Sequence, residues 1–347
     1  MTYLFYSNTF LFTVLLSFFL TWVTIKIAKY FKILDIPADD RKIHTGAMPL
    51  LGGCAVFLSF FLVLFFLRSH LLDQTMLRPS HYIGFFVGGL LIMLGGVLDD
   101  KYNLKPSWQF IFPVLAIVSV ILGGVEIERV SSPFGGYFYL SYWSPILITL
   151  WLLGMMYTTK LLDGMDGLVS GVSGIGAIII FLFTLTPHYF QPDISLASLV
   201  LAGSIFGFLL WNFHPAKIFL GEGGSLFLGY ALGVLAIISG GKFAVALLIM
   251  GIPILDVCWT ILRRLLGGQN PFRSADRKHL HHRLYDLGLG QRLTVLIFYT
   301  FSLVFGLSAL FLQSRGKIMA LIGLFVTMIL IIVGFSLIDR KTLNSKN

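Results

Sequence analysis

The sequence predicts an all-α polytopic membrane protein, and three features predict it. Apolar runs long enough, at ~20 residues, to cross a bilayer recur along the chain. Hydrophobic residues make up 57% of the 347 and charged residues 12%, about half the charged share of a soluble domain. The mean hydropathy is +0.88, and the polar residues fall mainly as punctuation between the runs.

The runs lie at 9–31, 50–67, 82–98, 108–123, 144–162, 170–186, 196–212, 224–239, 242–262, 293–313 and 317–337. That makes about ten to eleven transmembrane helices, according to whether the chain breaks at Ser239-Gly240-Gly241-Lys242. The first run lacks the basic start and small-residue cleavage site of a signal peptide, so it reads as a retained span. Cys54 and Cys258 both sit in apolar runs, which argues against a disulfide framework or a thiolate zinc site. Between the fourth and fifth runs, residues alternate apolar and polar around Pro133-Phe134-Gly135-Gly136. Val125, Ile127 and Val130 are expected to pair with Phe138 and Leu140 in a small β-hairpin near 125–140. With no long soluble segment or long internal repeat, residues 1–347 read as one transmembrane domain.

Alternate loops of an eleven-span chain share a face. Loops 32–49, 99–107, 160–169, 213–223 and 263–292, with the span ends beside them and the C-terminal tail, carry nineteen of the 25 Lys and Arg residues. The positive-inside bias makes that face cytoplasmic, puts the N-terminus outside and the C-terminus inside, and leaves the hairpin periplasmic. An anionic inner leaflet then accounts for the net charge of +9, and no nucleic-acid partner is needed.

Five polar clusters collect on this face, and convergent loops are how a site is built between helices. The first holds Arg41-Lys42-Ile43-His44 and Pro49-Leu50-Leu51-Gly52-Gly53. Basic side chains beside a Gly-Gly helix start suit a phosphate, although inside charge plus a turn explains the same residues. The second is Asp99-Asp100 at the end of an apolar run. Adjacent carboxylates repel, and a hard divalent cation relieves them; a solvated loop start is the plainer alternative. The third runs from Lys160 into Asp163-Gly164-Met165-Asp166-Gly167-Leu168. Its two aspartates share a face if helical, while the glycines suit a loop whose backbone closes on a ligand.

The fourth joins Asn212-Phe213-His214-Pro215 and Phe219 to Gly221-Glu222-Gly223-Gly224-Ser225. A carboxylate among glycines before a helix can hold a metal while N–H groups face phosphates; Phe219 either stacks on a base or simply packs. The fifth is His279-Leu280-His281-His282-Arg283. Zinc is one option for three histidines, but no cysteine joins them, and donors to a pyrophosphate fit better. Asp256, near the inner end of its run, has Arg263 and Arg264 one to two turns on as candidate partners.

In this order, Arg41-Lys42-x-His44 with Pro49-x-x-Gly52-Gly53, Asp99-Asp100, Asp163-Gly164-x-Asp166-Gly167-Leu168, Pro215-Ala216 with the Gly221-to-Ser225 loop, and His279-x-His281-His282-Arg283 form a specific set. The set resembles the polyprenyl-phosphate N-acetylhexosamine-1-phosphate transferases (the MraY/WecA group, glycosyltransferase family 4). The resemblance runs from Asp35 to Gly288 and is closer to the GlcNAc-1-phosphate branch than to the muramoyl branch.

It implies transfer of a sugar-1-phosphate, GlcNAc-1-phosphate foremost, from a UDP-sugar to undecaprenyl phosphate, with UMP leaving, at the start of cell-envelope polysaccharide synthesis. It implies Mg²⁺, with Mn²⁺ as the substitute, held by Asp100 and Glu222. Asp99, Asp100, Asp163 and His282 are the implied catalytic residues, Asp99 as the group that takes a proton from, or orients, the acceptor phosphate. Implied substrate contacts are Arg41, Lys42 and His44 at the acceptor phosphate, Lys160 and Asp166 near the donor, Asn212 and Phe219 at the nucleotide, and His279, His281 and Arg283 at the diphosphate. The site would face the cytoplasm from a bacterial inner membrane, and a homodimer is left open.

Three departures stand out. Tyr157 and Lys160 occupy positions where the family has an Asn-x-x-Asn pair, Glu222 replaces an aspartate, and Ser107 replaces a basic residue. Glutamate keeps the ligand type but reaches further by ~1.5 Å. These changes sustain an alternative, a catalytically altered lipid-sugar binder or scaffold. A membrane transporter is the other alternative, although transporters place their polar groups near the midplane and show paired repeats.

Overall fold

A computed structural model describes residues 2–37, 46–72, 77–131, 136–240, 242–268 and 279–344. Arg41, Lys42 and His44 lie outside the described residues. The elements are α1 (Tyr3–Tyr30), β1 (Leu34–Asp35), β2 (Met48–Pro49), α2 (Gly52–Phe66), α3 (Arg68–Leu72), α4 (Pro79–Tyr102), α5 (Pro106–Leu122), β3 (Arg129–Ser131), β4 (Tyr137–Tyr139), α6 (Ser144–Leu162), α7 (Leu168–Leu185) and α8 (Pro192–Asn212). They continue with α9 (Gly221–Ile238), α10 (Phe243–Ile249), α11 (Gly251–Leu266), α12 (Leu280–Leu284), α13 (Gly290–Phe311) and α14 (Ser314–Asn344).

Among the described residues, 8 helices are long and apolar enough to cross a membrane, and the α10–α11 pair makes 9 if counted as one bent span. The protein is therefore an all-α polytopic membrane protein. The difference from eleven straight spans lies in three places. The runs at 50–67 and 108–123 form α2 and α5, of 15 and 17 residues, shorter than the ~20 that span the hydrocarbon at 1.5 Å per residue. The run at 242–262 breaks between α10 and α11 with a bend of 80°. The break after Ser239 is real: α9 ends at Ile238, and Gly240 takes a φ of +87°.

The helix ends follow local chemistry. Pro79, Pro106, Pro145 and Pro192 stand in the first turns of α4, α5, α6 and α8, where a missing N–H costs nothing. Asn103 stops α4 in the left-handed conformation, and its N–H closes on the Asp99 carbonyl at 2.8 Å. The hairpin forms as an antiparallel pair with Val130 opposite Phe138 and Arg129 opposite Tyr139.

The packing is that of helices in lipid. The buried positions of α1 include Thr9, Thr13, Ser17, Thr21 and Thr24, while Leu11, Phe12, Leu15 and Phe19 are exposed. That hydroxyl stripe meets the small residues of α8: Ser17 donates to the Ser204 carbonyl at 2.5 Å, and a side chain at Gly203 would meet Thr13. Small residues allow close backbone approach where no hydrophobic drive separates helix from lipid. The α9 helix runs through the middle of the bundle with nearly every side chain buried.

Candidate active site

Three Gly-Gly pairs set the site. A Cβ added at Gly53 would strike the Gly224 backbone, and one at Gly96 would strike the Gly223 backbone. The starts of α2 and α9 and the end of α4 therefore meet main chain to main chain. The N–H groups of Gly52 and Gly53 donate to the carbonyls of Phe219 and Leu220 at 3.0 and 2.8 Å. This corrects the reading of that helix start as a phosphate cradle: its first two donors are engaged in joining α2 to the chain before α9. Phe219, half-buried, also donates its N–H to the Pro49 carbonyl at 2.8 Å. The ends of the loop that carries Arg41, Lys42 and His44 pair as β1 and β2, with Leu34 opposite Pro49.

This close approach delivers the second cluster to the fourth. Asp100 accepts the Glu222 N–H with both oxygens, at 3.0 and 3.3 Å, and so caps α9 at its positive end. Gly221 makes room with a φ of +75°, and a side chain there would collide with the Asp100 carboxylate. Asp99 turns to α5, accepting from the Leu104 N–H at 2.8 Å and the Gln109 amide at 3.0 Å. The other end of Gln109 accepts from Lys160 at 3.3 Å, and Lys160 forms an ion pair with Glu222. Asp99, Gln109, Lys160, Glu222 and Asp100 thus make one polar chain across α4, α5, α6 and α9. Two departures from the family pattern, at 160 and 222, meet in a single contact.

The third cluster is a loop, as its glycines suggest. Asp163 ends α6 and Gly167 opens α7 with a φ of +76°. Asp163 meets solvent on one side. Desolvation by the protein around it, then the charges of Glu222 and Asp166, pushes its carboxyl up to about 7. Asp100 in turn lies within electrostatic reach of Glu222, Asp99 and Asp163. Asp166 is held by the fourth cluster: its Oδ2 is 2.7 Å from His214 Nδ1 and accepts the Ala216 N–H at 3.1 Å.

Asn212 is buried, and its amide ties the two loops together. It accepts from the Gly167 N–H at 3.1 Å and the Ser170 hydroxyl at 2.7 Å, and donates to the Ile218 carbonyl at 3.0 Å. Tyr299 on α13 donates to the Gly167 carbonyl at 2.5 Å.

The fifth cluster packs on the third. A side chain at Gly164 would meet His281 Nε2 at 2.7 Å and His282 Nε2 at 3.4 Å. His279 is fixed from behind, with Nδ1 2.8 Å from Asp256 Oδ2, while the other Asp256 oxygen accepts the Leu280 N–H at 2.9 Å. Asp256 therefore partners the histidine cluster through a loop closure, beyond the two arginines that sequence proximity offered. The rings of His279 and His281 stack with centroids 5.7 Å apart. Both ring nitrogens of His281 are buried without a hydrogen bond among the described residues. Arg283 lies over the Phe335 ring of α14, 5.4 Å from its centroid.

Asp99, Asp100, Lys160, Asp163, Asp166, Asn212, Phe219, Glu222, His281 and His282 consequently gather at one end of the bundle. Sequence reading passed over Gln109, His214 as the partner of Asp166, and Tyr299. Gln109 lies two residues beyond Ser107, the position where the family pattern has a basic residue.

Comparison with known proteins bears on this arrangement. The profile of "Glycosyl transferase family 4" matches residues 82–240, the segment from α4 to the end of α9. A Bacillus subtilis protein named "Probable undecaprenyl-phosphate N-acetylglucosaminyl 1-phosphate transferase" is 34% identical over 92% of this chain and 88% of its own length. The chain belongs to glycosyl transferase family 4. A Thermotoga maritima undecaprenyl-phosphate alpha-N-acetylglucosaminyl 1-phosphate transferase is 34% identical over 85% of the chain and 87% of its own. A Moorella thermoacetica phospho-N-acetylmuramoyl-pentapeptide-transferase is 30% identical over 67% and 72%. The higher identity and wider coverage place this family member on the N-acetylglucosamine side of the superfamily.

Proposed function

We propose that this protein transfers GlcNAc-1-phosphate from UDP-GlcNAc to undecaprenyl phosphate. An acceptor phosphate oxygen would bond to the sugar-bearing phosphorus as the bridging bond to UMP breaks. One juxtaposition carries the reading: Asp100, Asp163 and Glu222 feel one another's charge beside the backbone that meets His281 and His282. The acceptor's tail is lipid and the donor is water-borne, so an interfacial cluster of this kind suits both. The inner membrane, with this end facing the cytoplasm, follows from the donor's location and from the bias of Lys and Arg.

The donor set fits a hard divalent ion. Its oxygens are carboxylates, and Asp100 and Glu222 approach through one peptide N–H. Mg²⁺ or Mn²⁺ takes one or two protein carboxylates and completes its shell with substrate phosphates and water. Asp100 and Glu222 would hold the ion, which when bound offsets charge building on the donor diphosphate. Asp99, anchored by Leu104 and Gln109, orients the acceptor phosphate more than it deprotonates it, since a phosphate monoester is already mostly ionised at pH 7. Asp163, the buried His281 and the half-buried His282 border the diphosphate position, while Asn212 and Asp166 hold the nucleotide loops in register.

Purified protein incubated with undecaprenyl phosphate, Mg²⁺ and a panel of UDP-sugars tests this, with the lipid product identified by mass. A lipid diphosphate-sugar from UDP-GlcNAc is expected. Donor binding without product from any UDP-sugar would move the reading to a lipid-sugar binder.

A further inference from the structure

Lys160 is a lysine on the last turn of α6, and its ammonium is paired with the carboxylate of Glu222 on the first turn of α9. The pair is not a surface contact: the two side chains keep only 24% and 17% of their exposure. Lys160 is also anchored on a second side by Gln109, at 3.3 Å, and lies over the Tyr157 ring, 5.6 Å from its centroid. Gln109 leads on to Asp99. The ammonium therefore has two seats in line, one on Glu222 and one toward the Asp99–Gln109 pair.

Beyond Glu222, Asp100 lies within electrostatic reach of Glu222, Asp99 and Asp163, and Asp163 within reach of Glu222. A half-buried group of that charge attracts any cation. Lys160 supplies one covalently, on Oε1 of the carboxylate that would hold a divalent ion. An ammonium and a divalent ion on the same carboxylate repel at a few ångströms, so each weakens the hold of the other.

We propose that Lys160 is a tethered cation that competes with the divalent ion for Glu222 and thereby sets how tightly this site holds metal. On metal binding the ammonium leaves Glu222 and keeps its seat on Gln109. Lys160 is in this sense a positioning residue, acting on the metal through Glu222. The inference rests on the assignment of Asp100 and Glu222 as ligands.

The test needs no substrate. Mn²⁺ is titrated into purified protein in detergent, and free Mn²⁺ is read by its electron paramagnetic resonance signal, with thermal unfolding confirming that each variant is folded. K160Q and K160M, which remove the charge, should lower the Mn²⁺ dissociation constant by about tenfold or more, since a unit charge beside a divalent ion is costly even in high dielectric. K160R, which keeps the charge, should stay near wild type. In an E222Q background the gain from K160Q should shrink, because the contested carboxylate charge is gone. Mn²⁺ binding that D100N abolishes but K160Q and K160M leave unchanged overturns the inference alone. An undiminished K160Q gain in E222Q also overturns it, since Lys160 would then act as a remote charge. Binding by no variant overturns both the inference and the ligand assignment.

Discussion

Gly96 offers a measurement of how closely the carboxylates must be held. Gly96→Ala adds one methyl where α4 lies against α9, and the atoms it meets are the Gly223 backbone, which has no rotamer to change. To restore ordinary carbon contacts of 3.5–4.0 Å the two helices must separate by roughly 1.5 Å at that point. Such overpacking costs about 1–3 kcal/mol of stability. The larger consequence is positional. Asp99 and Asp100 are the next turn of the same helix, and Asp100 reaches Glu222 by hydrogen bonds of 3.0 and 3.3 Å that a shift of this size breaks. Displacing catalytic groups by about 1 Å costs on the order of 100-fold in rate. Transfer of sugar phosphate by Gly96→Ala should therefore fall about 100-fold while the protein still melts cooperatively. Gly154→Ala on α6 is the control, because nothing lies within 4 Å of its added Cβ; it should keep full activity and gain at most ~1 kcal/mol. Wild-type turnover by Gly96→Ala, measured as lipid product per minute, would refute the claim that glycine contacts set the site.

Asp100→Asn should abolish transfer and Mn²⁺ binding while leaving the melting temperature within a few degrees, because the amide oxygen can still cap α9; near-normal turnover would remove Asp100 from the metal site. Asn212→Ala leaves the Gly167 N–H, the Ser170 hydroxyl and the Ile218 carbonyl without this partner in a buried setting, a loss of about 2–5 kcal/mol that thermal unfolding would register alongside a raised KM for the donor. Asp163 gives a signed pH effect. Its folded carboxyl titrates at about 7, above its ordinary value of 3.8, so its stabilising contribution is full below pH ~4 and is lost as pH rises through 7. Metal-free wild type should thus lose more stability than Asp163→Asn between pH 5 and 8, and identical slopes would contradict the assignment. Asp256→Asn should lower kcat with little change in KM, and shift the His279 ring signal in nuclear magnetic resonance spectra, because the carboxylate behind Nδ1 fixes that ring's tautomer.

Residue types announced the site, while their pairing stayed hidden. In a chain with 12% charged residues, a tandem Asp-Asp at the end of an apolar run or three histidines in four residues has few bland uses, so the clusters and their order were legible. Helix positions were legible for the same reason, since hydropathy reports transfer to lipid directly. Helix length was less so: α2 and α5 have 15 and 17 residues, α5 running from Pro106 up to the Gly123-Gly124 pair. At the bend before α11, Gly251 leaves room for Leu324 of α14, a contact the local sequence does not announce.

The glycines were misread for an instructive reason. Gly52-Gly53, beside basic residues, carries the local signature of a phosphate cradle, yet its N–H groups face carbonyls of the chain before α9. Glycine permits any close approach, and sequence does not say whether a ligand or another backbone arrives. The same ambiguity governs Lys160 and Glu222. Read singly, each is a departure that weakens the family reading: a cation where an amide belongs, and a carboxylate one methylene too long. In contact they form one ion pair, in which the acid reaches the lysine and the lysine supplies positive charge beside the neighbouring carboxylates. A substitution that looks disabling in a list of positions can be half of a compensated pair, and only the distance between side chains decides which it is.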